Sequence, residues 1–145
     1  MTVHLVKLCV GVDDVADLAR WQKKRRAERR AKKLKRPLIH RTRSTPKRAE
    51  ELLDGGSLYW VIKGVILVRQ RLIAIEPGRR DDGSPCCELA LHSELVRTLP
   101  RPMRAFQGWR YLEAKGAPAD LGAGGAGLAA MPPMLIEELR ALGLL

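Results

Sequence analysis

Apolar runs and helical patterns alternate along the first half of the chain. Residues 2–10 are apolar on both faces, which is typical of a buried central strand. Asp13 or Asp14 can cap the helix that follows, and Leu18 and Trp21 begin a buried helical face three residues apart. The pattern therefore predicts a strand followed at once by a helix.

The apolar face of this helix thins out in the basic residues that follow. Only Ala27, Ala31 and Leu34 keep helical spacing, and like charges four residues apart repel each other. We therefore expect residues 20–36 to form a basic helical arm that frays or projects until an anion neutralises it. A merely solvated helix face is the simpler alternative.

A second strand and a second helix follow the basic arm. Pro37 stops the first helix, and residues 38–43 have the pattern of a short strand. Thr45 and Pro46 then resemble an N-cap and a first helical position, which predicts a helix over residues 46–53.

The longest β-prone run covers residues 57–75, which is too long for one flat strand. Gly64 is expected to bend or bulge it, giving strands at 58–63 and 65–75. The run therefore predicts the centre of a sheet.

Turn residues divide the rest of the β-rich region. Asp82-Gly83 predicts the tip of a hairpin, and residues 86–91 form its return strand. Pro100 and Pro102 are expected to interrupt the continuation of that strand. Residues 106–112 then predict a last short strand with aromatic side chains.

Together these elements predict an α+β domain over residues 1–115, built on a small curved or closed sheet with flanking helices. The basic arm at 20–36 is an insertion within it. Residues 116–133 are rich in Gly, Ala and Pro and predict a flexible linker. Residues 134–145 predict a C-terminal amphipathic helix, which docks either on its own domain or on a partner.

Charge is concentrated in one segment of this 145-residue chain. Residues 20–48 contain fifteen Lys or Arg and one acid, a net charge of +14, although the whole chain carries only +11. Such a field attracts polyanions, either nucleic acid or an anionic membrane surface. No apolar run approaches the length of a membrane span, and the N-terminus lacks a signal-peptide pattern, so we expect a cytoplasmic protein.

No pattern of residues identifies a reaction. The three cysteines and three histidines do not match a disulfide framework or a zinc site. No P-loop, nucleophile elbow or dinucleotide-binding glycine motif occurs where a strand meets a helix. The sequence therefore favours a non-catalytic binding protein with no cofactor and no metal, and it leaves the oligomeric state open.

The candidate binding residues are cations near the second helix and in the long β-prone run, together with cations of the arm and two tryptophans. A helix N-terminus surrounded by arginines suits phosphate, and strand arginines can add bidentate contacts. Ion pairs with nearby carboxylates are the alternative role. The predicted nucleic-acid-binding residues are Arg41, Arg43, Lys47, Arg48, Lys63, Arg69, Arg71, Trp60, Trp109, Lys24, Arg25, Arg29 and Lys32.

RNA is the preferred polyanion. Unpaired bases can stack on Tyr59, Trp60, Trp109 and Tyr111, although half-buried aromatics are more often core residues. Six aromatic residues are too few for a broad stacking surface, so backbone contacts should dominate. Two other functions stay open. The basic helix can instead bind an acidic protein or the ribosome surface, or a tryptophan can read a modified nucleotide.

Three runs carry a resemblance that covers almost the whole chain: VHLVKLCVG at 3–11, the stretch at 40–72, and FQGWRYL at 106–112. They resemble a bacterial family of uncharacterised small proteins. The order of elements is also similar to the PUA-like superfamily, particularly its EVE and ASCH branches. That resemblance implies a pseudobarrel that binds RNA or modified bases in a cleft beside the first helix. The chain departs from EVE domains at Leu5 and Lys7, where their opening motif carries Trp and Ser-Glu-Pro, and in its basic insertion.

Overall fold

Seven strands, two α-helices and one 3-10 turn follow one another in a computed structural model, which describes residues 2–104 and 106–121. The fold class is α+β, as the pattern predicts. The elements in chain order are β1 (Val3–Leu8), α1 (Val15–Ala31), β2 (Ile39–Thr42), α2 (Ala49–Leu53), β3 (Ser57–Ile62), β4 (Val65–Arg79), β5 (Pro85–Leu91), β6 (Val96–Pro102), β7 (Trp109–Glu113) and the 3-10 turn Ala114–Gly116.

The strands form one open sheet in the order β2-β5-β4-β3-β1-β7, with β6 paired to β4. Among the strands described, the β1–β3 pair alone is parallel, because α1, β2 and α2 lie between these two strands in the chain. The two ends of the order approach each other, since the Trp109 indole Nε1 donates to the carbonyl oxygen of Ser44 at 3.0 Å. The sheet is therefore open but curved enough to bring its two ends close together.

Both faces of the sheet carry apolar side chains. The larger cluster includes Leu18 of α1 and Leu52 of α2, packed on residues such as Leu58 of β3. A smaller cluster on other strand positions includes Tyr59 and Leu112. All six residues of β3 are buried, which explains why this stretch is apolar without alternation.

Helix α1 begins as the sequence predicts. The Asp14 side chain accepts from the Asp17 backbone N–H at 2.8 Å, and the Asp17 carboxylate accepts from the Asp13 backbone N–H at 3.1 Å. The helix then continues without a break to Ala31, so the basic segment does not fray.

The apolar stripe predicted for this basic segment is wrong, because Ala27, Ala31 and Leu34 are all exposed. Helix α1 instead faces the sheet through Leu18 and Gln22, its two buried residues. The hydrophobic pattern did not reveal this face, because a buried amide, Gln22, takes the position of an apolar residue.

The end of the basic segment is also docked. Arg29 Nε donates to the carbonyl oxygen of Arg36 at 2.6 Å, and Arg36 Nε lies 2.9 Å from the carboxylate of Glu76 on β4. The segment is therefore a packed part of the domain and does not project as an arm.

Gly64 belongs to a tight hairpin between β3 and β4, and not to a bend or bulge in one strand. Lys63 and Gly64 both have positive φ, 50° and 81°, as a two-residue turn of the primed type requires. Strand β4 also continues four residues beyond the predicted end at Ile75, to Arg79. The hairpin tip at Asp82-Gly83 and the return strand β5 lie where they were predicted.

Three further boundaries differ from prediction. The last strand, β7, begins at Trp109 and not at residue 106. Helix α2 begins at Ala49 and not at Pro46, and its five residues have no side-chain cap. Strand β6 contains both Pro100 and Pro102, which were expected to interrupt it. An edge-like position tolerates proline, because a missing N–H there breaks no central ladder.

The segment after β7 lies beside β6. The backbone N–H of Leu99 donates to Ala119, and that of Leu121 donates to Arg97, both at 2.8 Å. These contacts hold the described part of the predicted linker, while the rest of it and the predicted helix at 134–145 lie outside the described residues. Within the described ranges, neither α-helix is long and apolar enough to cross a membrane.

Candidate nucleic-acid interface

The two strand arginines of β4 lie in a cleft of their own. Arg69 makes a two-pronged ion pair with Asp120 at 2.7 and 2.8 Å, and its Nη1 donates to Ser57 Oγ at 3.0 Å. The hydrogen bonds to Asp120 raise the pKa of Arg69 and lower that of Asp120. Arg71 lines the same cleft of about 390 Å³, which we call the outer cleft. The wall of this cleft also contains Glu94. Its two arginines and two acids therefore have formal charges that cancel.

Arg48 is held by two carboxylates, and Lys63 lies near one. Arg48 pairs with Glu51 and, at 2.9 Å, with Glu113, and its guanidinium lies 5.3 Å from the centre of the Tyr111 ring. Hydrogen bonds to these two acids raise the pKa of Arg48. Lys63 lies on the β3–β4 turn, 3.7 Å from Asp13.

Lys47 is exposed just before α2. Since α2 has only five residues, its start adds little dipole to favour an anion. The structure therefore does not gather the predicted cations around a helix N-terminus.

A cationic cleft does form between α1 and β2. We call it the helix cleft; its volume is about 430 Å³. Lys24 is exposed on the same helix but is not part of this wall. The residues that line the helix cleft are Arg25, Glu28, Arg29, Lys32, Leu34, Ile39, His40, Arg41 and Asp81.

A second cationic cleft lies where the two ends of the sheet approach each other. We call it the edge cleft; its volume is about 610 Å³. Among the described residues that line it, none is acidic. They are Lys7, Arg41, Thr42, Arg43, Ser44, Arg80, Gln107, Gly108 and Trp109. Arg41 lines both clefts, so the two adjoin at this residue, and we call them together the cationic surface.

Arg41 has two carboxylates nearby. Its Nε lies 3.3 Å from Glu88 and its Nη1 lies 3.8 Å from Asp81, both longer than a close ion pair, and its side chain is 37% exposed. Arg43, one residue beyond β2, and Arg80, in the β4–β5 turn, are both exposed. The surface therefore keeps guanidinium groups available to a polyanion.

The two predicted tryptophans have different environments. Trp109 is half-buried at the edge cleft; its Nε1 donates to Ser44, and Tyr111 meets its ring edge to face at 5.0 Å. Trp60 is only 3% exposed, and its Nε1 donates to Gln70 Oε1 at 2.8 Å. Of these two tryptophans, Trp109 is therefore the one placed to stack on a base at the surface.

A buried pair of amides holds α1 in position. The side chains of Gln22 and Gln70 exchange two hydrogen bonds of 2.7 Å, and Gln70 Nε2 also donates to the carbonyl oxygen of His92 at 3.0 Å. This contact fixes the rotation of the helix. Arg25 and Arg29 follow Gln22 at helical spacing, which brings both into the wall of the helix cleft.

Lys7 and Arg80 were missed as binding residues. Lys7 interrupts an apolar strand at the register position opposite Trp60, and a lone cation at such a position is itself a signal. Arg80 stands beside Asp81 and Asp82 in a turn, so its local charge is cancelled in the sequence. Only the fold brings it to the edge cleft.

Comparison with curated proteins and with solved structures gives no match. A family model described as "Protein of unknown function (DUF1489)" matches residues 5–145. This match confirms the resemblance to a family of uncharacterised small proteins and covers nearly the whole chain. The protein is therefore a member of the DUF1489 family.

Proposed function

We propose that the protein is a non-catalytic RNA-binding module that holds an RNA backbone along the helix cleft and the edge cleft. The edge cleft carries the proposal, since four cations and no acid are found among its described lining residues. Phosphate contacts supply most of the affinity of such surfaces, and arginine forks match phosphate oxygens.

The balance of charge distinguishes this surface from the other side of the domain. Among residues 2–104 and 106–121, seven Lys or Arg and two acids line the two joined clefts, whereas two arginines and two acids line the outer cleft. A polyanion is therefore attracted to the α1–β2 side. The seven cations are Lys7, Arg25, Arg29, Lys32, Arg41, Arg43 and Arg80.

Trp109 favours RNA as the ligand over a polyanion that has no bases. Its indole is fixed by Ser44 and Tyr111, so little side-chain entropy is lost when a base stacks on it. Stacking on one aromatic ring contributes about 1–3 kcal/mol per base and accepts any base. Contacts to the RNA backbone, together with one position where an unpaired base can stack, favour single-stranded RNA.

The PUA-like resemblance belongs to this proposal. The acid-capped α1 after β1, the arginine in β2 and the aromatic β3 follow the expected order of elements. The helix cleft lies beside the first helix, where that superfamily binds its ligands. Superposition of a crystal structure on PUA-like domains tests this part. The proposal also includes a location in the bacterial cytoplasm, which fractionation of cells tests.

Fluorescence anisotropy with a labelled single-stranded RNA tests the function. The variant Arg43→Ala/Arg80→Ala removes two cations of the edge cleft. The matched control, Lys23→Ala/Lys24→Ala, removes two exposed cations of α1. We expect the first to weaken binding by about tenfold or more, since one charge-assisted hydrogen bond contributes about 1.5–3 kcal/mol, and the control by less than about threefold.

Three other results are informative. Equal losses in the two variants would mean that net charge alone attracts RNA. A larger loss in the lysine variant would favour an adaptor that binds an acidic partner through the exposed face of α1. No binding by the wild-type protein at low salt would refute the proposal.

A further inference from the structure

A small pocket lies between α1 and the sheet, next to the helix cleft. Its volume is about 130 Å³, and its wall includes Leu18, Trp21 and Trp60. It shares Arg25 and His40 with the helix cleft. Because an apolar cavity of about 150 Å³ can hold benzene, this pocket has room for about one six-membered ring.

One residue that lines the pocket has a polar atom without a partner. The Nε2 of His40 is buried and makes no hydrogen bond within the described part of the chain. Leaving a buried polar atom unpaired costs about 1–3 kcal/mol, so such an atom requires an explanation. The neighbouring polar groups are already used, because Gln22 and the indole of Trp60 both bond to Gln70.

His40 has a fixed orientation and an uncharged ring, so it can make one hydrogen bond as a neutral imidazole. Its ring packs edge to face against Trp60, with 5.0 Å between centroids and 88° between planes, which fixes its orientation. Burial, followed by the charges of Lys7 and Arg25, lowers the pKa of His40 to about 4. The imidazole is therefore neutral near pH 7, and its Nε2 can donate or accept according to tautomer.

Cations stand beside the pocket on both sides. Arg25 is stacked on the Trp21 ring at 4.2 Å and also lines the helix cleft. Lys7 lines both the pocket and the edge cleft. A ring inside the pocket can thus remain attached to a chain of phosphates that runs along the cationic surface outside.

We infer that this pocket binds one pyrimidine-sized nucleobase ring, whose polar edge bonds to His40 Nε2 while its faces contact the apolar wall. A fused purine requires more volume than the pocket offers. The ring comes either from an unpaired nucleotide of RNA or from a free nucleoside. The first source rests on the proposed function, and the second does not.

The test compares labelled eight-residue oligouridine and oligoadenosine RNAs with free uridine. The variant His40→Phe keeps a ring against Trp60 but removes the nitrogen, and His92→Phe makes the same change at an exposed position. Anisotropy measures RNA binding, calorimetry measures uridine binding, and thermal unfolding confirms that each variant is folded. We expect the wild type to bind oligouridine about tenfold more tightly than oligoadenosine. His40→Phe should reduce this ratio below about threefold, and His92→Phe should leave it unchanged.

The outcomes separate the two proposals. Equal affinity for both RNAs, with no uridine binding, would overturn the pocket while RNA binding stands. Uridine binding that His40→Phe abolishes, without any RNA binding, would support the pocket as a nucleoside site and overturn the RNA function. If neither RNA nor uridine binds, both proposals are wrong.

Discussion

The buried amide pair between α1 and the sheet gives a sharp prediction of stability. Gln70 is fully buried and takes part in four hydrogen bonds, two with Gln22, one with Trp60 and one with His92. Replacing Gln70 by leucine keeps the volume but leaves these partners unpaired. Replacing Gln22 leaves Gln70 bonded to Trp60 and His92.

The expected sizes follow from the number of unpaired atoms. Each buried polar atom without a partner costs about 1–3 kcal/mol, and part of this cost is offset by the apolar leucine. Gln70→Leu should therefore lower the free energy of unfolding by about 3–5 kcal/mol, and Gln22→Leu by about 1–2 kcal/mol. The double variant removes both amides together. Its loss of unfolding free energy should therefore be about 1–3 kcal/mol smaller than the sum of the two single losses.

Urea unfolding followed by far-ultraviolet circular dichroism measures the four free energies of this cycle. Gln107→Leu, at an exposed glutamine, is the matched control and should change stability by less than about 0.5 kcal/mol. Two results would refute the reasoning: a loss for Gln70→Leu no larger than that of the control, or strict additivity in the double variant.

Two other predictions concern a close backbone approach and a buried histidine. A β-carbon at Gly56 would overlap carbonyl oxygens of α2 and β1, so Gly56→Ala should cost more than about 3 kcal/mol. Gly83→Ala, with positive φ but open space around it, should cost about 1–2 kcal/mol in the same urea assay. Because the folded-state pKa of His40 is about 4 and its ordinary value is 6.5, its neutral form favours the folded state above pH 6.5 and this contribution falls as pH drops towards 4. Between pH 7 and 5 the wild type should lose on the order of 2 kcal/mol more stability than His40→Phe, and parallel pH profiles would contradict this.

Local patterns predicted the elements of the fold well. The acid cap of α1, the buried β3 and the Asp82-Gly83 tip each depend on residues close together in the chain. The parallel pairing of β1 with β3 was not predictable in this way, because it depends on how the intervening elements pack. The face of α1 was missed because a buried glutamine marks it where an apolar residue is usual.

The candidate site was only partly predictable because charge neutralisation is a long-range effect. Arg69 and Arg41 look alike in the sequence, since both lie in β-prone runs rich in cations. The partner of Arg69 is Asp120, 51 residues away in a segment with the composition of a linker. Arg41 instead lies in the wall of the edge cleft with Arg80, which comes from a distant turn. The sequence therefore indicated which cations are candidates, and the fold shows which of them lack a close carboxylate among the described residues.

The salt dependence of RNA binding tests the central claim most directly, that a cationic surface of two joined clefts holds the backbone of a single-stranded RNA. With seven cations on that surface, the slope of log K against log salt concentration should reach about −5 at most, because each neutralised phosphate of a single strand contributes about −0.7. The variant Arg43→Ala/Arg80→Ala should reduce the magnitude of the slope by about 1.4, and Lys23→Ala/Lys24→Ala should leave it nearly unchanged. A slope near zero for the wild type, or the same slope in the edge-cleft variant, would contradict the account.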